Sequence, residues 1–308
     1  MGVVAGPAPV ASGPAADVES PWRRVASEFV RSRLAVAGLA LLAIAVVLAL
    51  AAPWISPQNP YDLAQLDVMD SKLPPGSAAS STSRTYWLGT DDQGRDMLSG
   101  ILYGLRISLT VGVTSTVIAL AIGLALGLTA AYFGGWADAA IMRLADIQLS
   151  FPSILIALIL LAILGQGVDK IIVALVTVQW AYYARTVRSA AMVERQKEYV
   201  EAARALALSR MRIVLRHLLP NCLPPLIVVA TVQVAHAILL ESTLSFLGLG
   251  LPITEPSLGL LFAIGFQYLL SGKYWISFYP GLALLLSIMA INLVADQLRD
   301  VLNPRLSR

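Results

Sequence analysis

The chain has 308 residues, of which 57% are hydrophobic and only 13% charged, with a net charge of +3. A soluble domain carries about 25% charged residues; here the charges are also segregated, which excludes an ordinary water-soluble globule and makes lipid the expected solvent. One cysteine, Cys222, and two histidines, His217 and His236, exclude an intrachain disulfide framework and argue against a Cys/His metal centre. The small net charge carries no signal for nucleic acid.

Residues 1–20 are rich in Ala, Pro, Gly and Val without periodicity, and 1–33 together read as a disordered basic tail. Arg23, Arg24, Arg31 and Arg33 precede the first apolar run, as in a signal peptide. The run over 34–55, however, exceeds the roughly 7–15 apolar residues of a signal core. It reads as an uncleaved first span. Further charge-free intervals at 107–137, 147–168, 171–184, 218–240 and 274–295 give six spans. Each supplies the approximately 20 residues that cross about 30 Å of hydrocarbon, the fourth only if its helix continues past Arg185. The fifth is expected to begin after Pro224-Pro225. Helices are expected because they satisfy their backbone polar groups internally. The segment 256–272 is apolar but short, begins with Pro256 and contains Gly259 and Gly265, so it reads as a re-entrant or interfacial helix.

Of the 22 lysines and arginines, 16 fall on one side of a six-span topology and 6 on the other. That bias places both termini inside. An external loop then covers 56–106, with a flexible linker at Pro74-Pro75-Gly76 and 77–83 and a capping box at Thr90-Asp91-Asp92-Gln93 opening a short surface helix. Asp91, Asp92, Arg95 and Asp96 on that helix form either a solvated, internally paired face or a docking surface for an external protein. The core spans 107–298, the C-terminus 299–308, and a large internal loop covers 185–221. That loop holds good helix formers up to Leu206, then Ser209 as the cap of a second helix that Pro220 brings toward its end. Two short helices joined by a tight turn make a rigid knob able to carry a push into the adjoining spans. The plainer alternative is a positive-inside loop held at anionic lipid headgroups.

Glu201-Ala202-Ala203, Ala207 and His217-Leu218-Leu219-Pro220 resemble, in spacing, the EAA loop of bacterial ABC importer permeases. Ala207 stands where that family has Gly, and His217 where its general pattern has Ile. An alanine at positive φ costs roughly 1 kcal/mol, so ordinary helical angles are expected at Ala207. The run from Leu88-Gly89-Thr90-Asp91 through Gly94-Arg95-Asp96, Phe133-Gly134-Gly135-Trp136, Phe151-Pro152-Ser153, Glu241-Ser242-Thr243-Leu244-Ser245-Phe246-Leu247-Gly248 and Leu298-Arg299-Asp300 is similar to the dipeptide, oligopeptide and nickel branch. Within it the pattern is that of the C-type of two paired permeases.

The resemblance implies an all-α integral membrane protein with the type I ABC importer permease fold of six transmembrane helices and a cytoplasmic coupling helix between the fourth and fifth. It implies docking of Glu201, Ala202, Ala203, Arg204, Leu206, Ala207, Leu208 and Ser209 in a groove of an ATPase. It further implies a heterodimer with a second permease, two cytoplasmic ATPase subunits that hold ATP and Mg²⁺, an external substrate-binding protein and a bacterial inner membrane. No cofactor is expected on this chain. Short peptides are the default substrate of the branch, with nickel chelates and glutathione among the alternatives.

Within the fifth span Glu241 is the one acid, and Gln233 and His236 fall within about 140° of it at 100° per residue. That face reads either as a lining of a translocation path, with Glu241 shaping its outer gate, or as a carboxylate paired near the interface. No G-x-x-x-x-G-K-[ST], H-E-x-x-H or G-x-S-x-G occurs, so an enzyme is not indicated. A secondary transporter or channel is the rival reading; such proteins usually show internal repeats, which this sequence lacks.

Overall fold

The computed structural model describes the backbone of residues 21–81 and 83–302, and their side chains except those of 21–25 and 63. Eleven α-helices are described: α1 (Pro21–Arg31), α2 (Arg33–Ile55), α3 (Met97–Phe133), α4 (Gly135–Ser150), α5 (Ser153–Leu164), α6 (Val168–Arg195), α7 (Glu198–Ala205), α8 (Arg210–Ile213), α9 (Leu219–Phe246), α10 (Leu258–Phe266) and α11 (Trp275–Leu302). A two-stranded hairpin, β1 (Ser77–Ala78) with β2 (Thr85–Tyr86), lies in the long loop after α2. Four helical segments are long and apolar enough to cross a membrane: α2, α3, the run Arg210–Phe246 and α11; the bent pair α4–α5 makes a fifth candidate.

The core is helix on helix. The most extensive pairing joins α3 to α6. Gly123 and Gly127, one turn apart on α3, make it possible. A Cβ on Gly123 would stand 2.4 Å from the Tyr183 Cβ, and one on Gly127 would stand 2.6 Å from the Ala184 carbonyl oxygen. Small residues at this spacing let two membrane helices approach along their backbones. Val111 of α3, Leu161 of α5, Leu175 of α6 and Leu244 of α9 then share one buried cluster. A second cluster gathers α2, α3, α10 and α11 around Met97, Leu258 and Ile276. In α10 the short segment predicted between the last two spans is a nine-residue helix packed against α3, α9 and α11, too short to cross.

Several expectations are corrected. The tail predicted over 1–33 is helical from Pro21 to Arg31; residues 1–20 lie outside the described residues. The third span is not one straight helix, because α4 and α5 meet at 91°. Pro152 is the cause: it has no amide to donate and forces Phe151 into extended angles, φ −97 and ψ 145. The fifth span does not start after Pro224-Pro225. It runs on from α8 through a π-helical turn, Val214–Leu218, into α9. The carbonyls that the two prolines leave without a helical donor belong to Pro220 and Asn221, both exposed, where water can satisfy them. For the same reason Pro220 begins a helix where the sequence suggested an end.

The loop read as external also differs. The segment read as a flexible linker holds the first strand of the hairpin and leads into the second, pinned where Asp70 accepts hydrogen bonds from the Ser80 amide and the Tyr86 hydroxyl, each at 2.9 Å. No helix starts at Thr90. Thr90 forms a bridge with Asp96, and the cap of α3 is Asp96, whose carboxylate accepts from the Ser99 amide at 2.9 Å. The α6 helix does continue ten residues past Arg185, as its charge-free stretch required.

Candidate functional site

The loop between α6 and α9 is built around four buried side chains: Val200 and Ala203 of α7, Ile213 of α8 and Leu218 of the π-helical turn. Packing these leaves the other face of α7 outward. Glu201, Ala202, Arg204, Leu206, Ala207 and Ser209 are exposed, Leu208 is half-buried and Ala203 is buried. Of the eight positions singled out in the sequence, six therefore present a surface and two hold the knob together.

Ala207 does not keep helical angles. Its φ is +52, against the sequence expectation. The hydrogen bonds give the reason. The Ala207 amide donates to the Arg204 carbonyl at 2.9 Å and the Leu208 amide to the Ala203 carbonyl at 3.2 Å. This is a Schellman motif, with Ala207 at the left-handed C′ position and Leu208 folded back onto Ala203. Satisfying two terminal carbonyls of α7 outweighs the strain on one alanine.

A strap that the sequence did not suggest ties the knob to both neighbouring helices. The Tyr199 hydroxyl donates to a Glu194 carboxylate oxygen at 2.7 Å. The Asn221 side-chain amide donates to the Tyr199 hydroxyl at 3.2 Å and to the His217 carbonyl at 2.7 Å. The end of α6, α7 and the start of α9 are thus linked through one phenol. Burial, and then the bond to Glu194, push that phenol up to about 12, so it keeps its donor proton. The Arg195 guanidinium donates to the Ala131 carbonyl at 2.8 Å, closing the end of α3 onto the same assembly. No periodicity or local motif relates positions 194, 199 and 221, so nothing in the sequence marked them as a set.

The candidate path residues separate. Gln233 and His236 line a cavity of about 270 Å³ between α5, α6 and α9, together with Gln179 and Tyr182 of α6 and Ser153 of α5. Gln179 accepts a hydrogen bond from Thr116 at 3.3 Å. Glu241 does not line that cavity. It is 0% exposed and accepts from the hydroxyls of Ser245 at 2.8 Å, Ser257 at 2.7 Å and Ser108 at 3.4 Å. Ser257 also caps α10. One carboxylate therefore joins α3, α9 and the start of α10, and the geometry of a helix joint replaces that of a path-lining acid.

The acidic cluster predicted on an outer surface helix is also displaced. Asp91, Arg95 and Asp96 are buried, in a turn rather than a helix, and Asp92 is half-buried. The Arg95 guanidinium lies 3.3 Å from the Asp91 carboxylate and donates to the Ile253 carbonyl at 2.7 Å. Burial pushes the Asp91 carboxyl up to about 6, against the pull of Arg95 and of the Arg95 and Gln93 amides. Arg95 clamps this loop to the segment before α10, and burial removes Asp91, Arg95 and Asp96, but not the half-buried Asp92, from a docking surface. Among the described residues no group of three His, Cys, Asp or Glu side chains is placed to hold a metal.

Comparison with known proteins gives these features a family. Residues 119–308 match the family described as "Binding-protein-dependent transport system inner membrane component", and residues 20–75 match the "N-terminal TM domain of oligopeptide transport permease C". A putative peptide transport system permease of Brucella suis is 41% identical over 94% of this chain and 93% of its own. The di/tripeptide transport permease DppC of Pseudomonas aeruginosa is 39% identical over 96% of each chain. The dipeptide transport permease DppC of Escherichia coli K12 is 39% identical over 91% of this chain and 92% of its own. Among solved structures, the inward-facing MetNI methionine ABC transporter has the same fold, with a TM-score of 0.54 and 24% identity over 67% of this chain and 97% of that one. The chain belongs to the binding-protein-dependent transport system inner membrane component family, as the C-type permease subunit of an ABC importer, and is not itself catalytic.

Proposed function

We propose that this subunit carries short peptides inward across a bacterial inner membrane, after an external binding protein delivers them and while partner ATPases turn the permease between outward and inward states. The observation that carries the reading is the knob. Its exposed face, Glu201, Ala202, Arg204 and Leu206, sits on a unit strapped by Tyr199 to both α6 and α9. A force applied there reaches two core helices at once. ATP and Mg²⁺ belong to the partner subunits in this reading. A second, homologous permease completes the path.

The topology has six spans with both termini inside, α4–α5 counting as one and α6 as another. The charges of α6 lie toward its two ends, Asp169 and Lys170 at one and Arg185, Arg188, Glu194 and Arg195 at the other, so only the stretch between Lys170 and Arg185 lies in hydrocarbon. His236 is exposed near the middle of α9, and Gln179 and Gln233 open into the cavity beside it. Such groups at membrane depth face water or protein rather than lipid. This supports placing the path along α6 and α9, facing the partner permease. Short peptides are favoured by the Pseudomonas aeruginosa and Escherichia coli relatives, which are di/tripeptide and dipeptide transport permeases. Glu241, as a joint to α10, shapes the outer end of the bundle without touching cargo.

The test is co-expression with the partner subunits, purification through a tag on this chain, and reconstitution into vesicles with the binding protein. ATPase subunits co-purify, and a labelled dipeptide accumulates only with ATP. Glu201→Arg lowers uptake by about tenfold while the assembled ATPases still hydrolyse ATP. Dipeptide accumulation without ATP or without the ATPases would overturn the reading.

A further inference from the structure

Two ion pairs join α4 to α6, and they differ in kind. Arg188 meets Asp138 through two parallel contacts, Nε to Oδ1 and Nη2 to Oδ2, the second at 2.6 Å, with the side chains 29% and 22% exposed. A forked, half-buried contact of this sort is a fixed brace. Arg185 meets Asp146 through a single contact from Nη2 to Oδ1, and these side chains are 51% and 55% exposed. A single, solvated contact between long and short charged groups is worth little and exchanges readily.

The exposed pair also has a particular address. Gln179, Tyr182 and Arg185 follow at spacings of three on one face of α6, so Arg185 stands about 4.5 Å along the helix from Tyr182. Gln179 and Tyr182 line the cavity, and Ser153, at the start of α5 just past the Pro152 bend, lines it from the α4 side. Asp146 lies on the last turns of α4 before that same bend. Arg185 therefore stands one helical turn beyond the Tyr182 lining of the cavity, toward the knob, without itself lining it. At about 270 Å³ the space matches roughly nine waters at 30 Å³ each, the scale of a small ligand.

We propose that Arg185 is a cargo-binding residue that takes the free carboxylate of a short peptide leaving the cavity, and that Asp146 is the counter-ion it holds when no cargo is there. This rests on the peptide reading given above and narrows it to peptides with an unblocked C-terminus. The guanidinium has five donors in a fixed fork, and Asp146 occupies one, so a carboxylate can engage the remainder before Asp146 is released. Gln179, Gln233 and His236 offer neutral polar partners to the peptide bond above it.

A brace is broken equally from either side, whereas a binding residue and its counter-ion are not equivalent. The assembled transporter in proteoliposomes, with saturating binding protein and ATP, is assayed with labelled Ala-Ala and with Ala-Ala carrying a C-terminal amide. Arg185→Gln lowers Ala-Ala uptake by about tenfold, the size of a lost charged hydrogen bond, and removes the preference over the amide. Arg185→Lys restores most of the rate. Asp146→Asn raises Ala-Ala uptake above that of the unaltered protein, since Arg185 keeps its charge and no counter-ion competes with the peptide carboxylate. Equal losses from Arg185→Gln and Asp146→Asn, with the unaltered protein active, would reduce the pair to a brace and refute this inference alone. A transporter that takes up neither peptide in its unaltered form refutes the peptide reading, and this inference with it.

Discussion

Ala207 holds the tightest backbone position in the knob. At φ +52 its Cβ crowds the following carbonyl, a strain of about 1 kcal/mol that glycine does not pay. Ala207→Gly therefore raises the stability of the purified protein by about 1 kcal/mol, read as a higher midpoint in thermal unfolding, with uptake retained. A lower midpoint would show that the greater freedom of the unfolded glycine chain dominates. The family resemblance marks the position through its expected Gly. The sequence does not reveal that alanine tolerates the same backbone, because that depends on the two hydrogen bonds from the Ala207 and Leu208 amides. Glu241 teaches a similar lesson. It falls within about 140° of Gln233 and His236 around the helix, yet its partners are serines on three different segments. Phase on one helix fixes direction, but which neighbour stands in that direction is a tertiary fact.

At the scale of elements, the strap through Tyr199 decides whether α7 moves with α6 and α9 or apart from them. Its phenol is a donor to Glu194 and an acceptor from Asn221. Tyr199→Phe removes both bonds at about 1 kcal/mol each, keeps the ring against the knob's core, and leaves the fold in place. Uptake falls while ATP hydrolysis by the assembled complex continues, so the number of ATP consumed per peptide rises. An unchanged ratio would mean that the apolar cluster under α7 transmits the motion without the strap. The sequence made α7 legible through its helix formers and its spacing. It misplaced the neighbouring boundaries at Pro152, Pro220 and Pro224-Pro225. Proline removes one donor wherever it stands, but whether a helix ends, bends or continues depends on whether water or another group takes up the freed carbonyl.

For the whole molecule, the arrangement of charge predicts which surfaces face which compartment. In a variant with Cys222 replaced by Ala, a cysteine placed at Ala202 is labelled by an impermeant maleimide only after the inner face is opened, and one placed at Ser80 is labelled from outside in intact cells. The native thiol is buried, so its removal clears the background. Labelling of the Ala202 position from outside would invert the topology and remove the knob from the reach of any ATPase. Both sites lie on exposed or half-exposed backbone of the described loops, so failure of labelling through burial is not expected.

The sequence by itself determined that this chain is a bundle of membrane helices, how its charges are distributed among the segments between them, and which loop resembles a coupling loop. Hydropathy and charge act residue by residue against the bilayer, so they can be read along one dimension. Only the tertiary structure decided that the Gly94-Arg95-Asp96 run is buried as a clamp, that Glu241 joins three segments, and that Asp146 meets Arg185. Each of these depends on pairs of residues 16 to 158 positions apart. Which distant groups become neighbours is set by how the helices pack, through contacts such as Gly123 and Gly127 on Tyr183 and Ala184, and no local pattern encodes that choice.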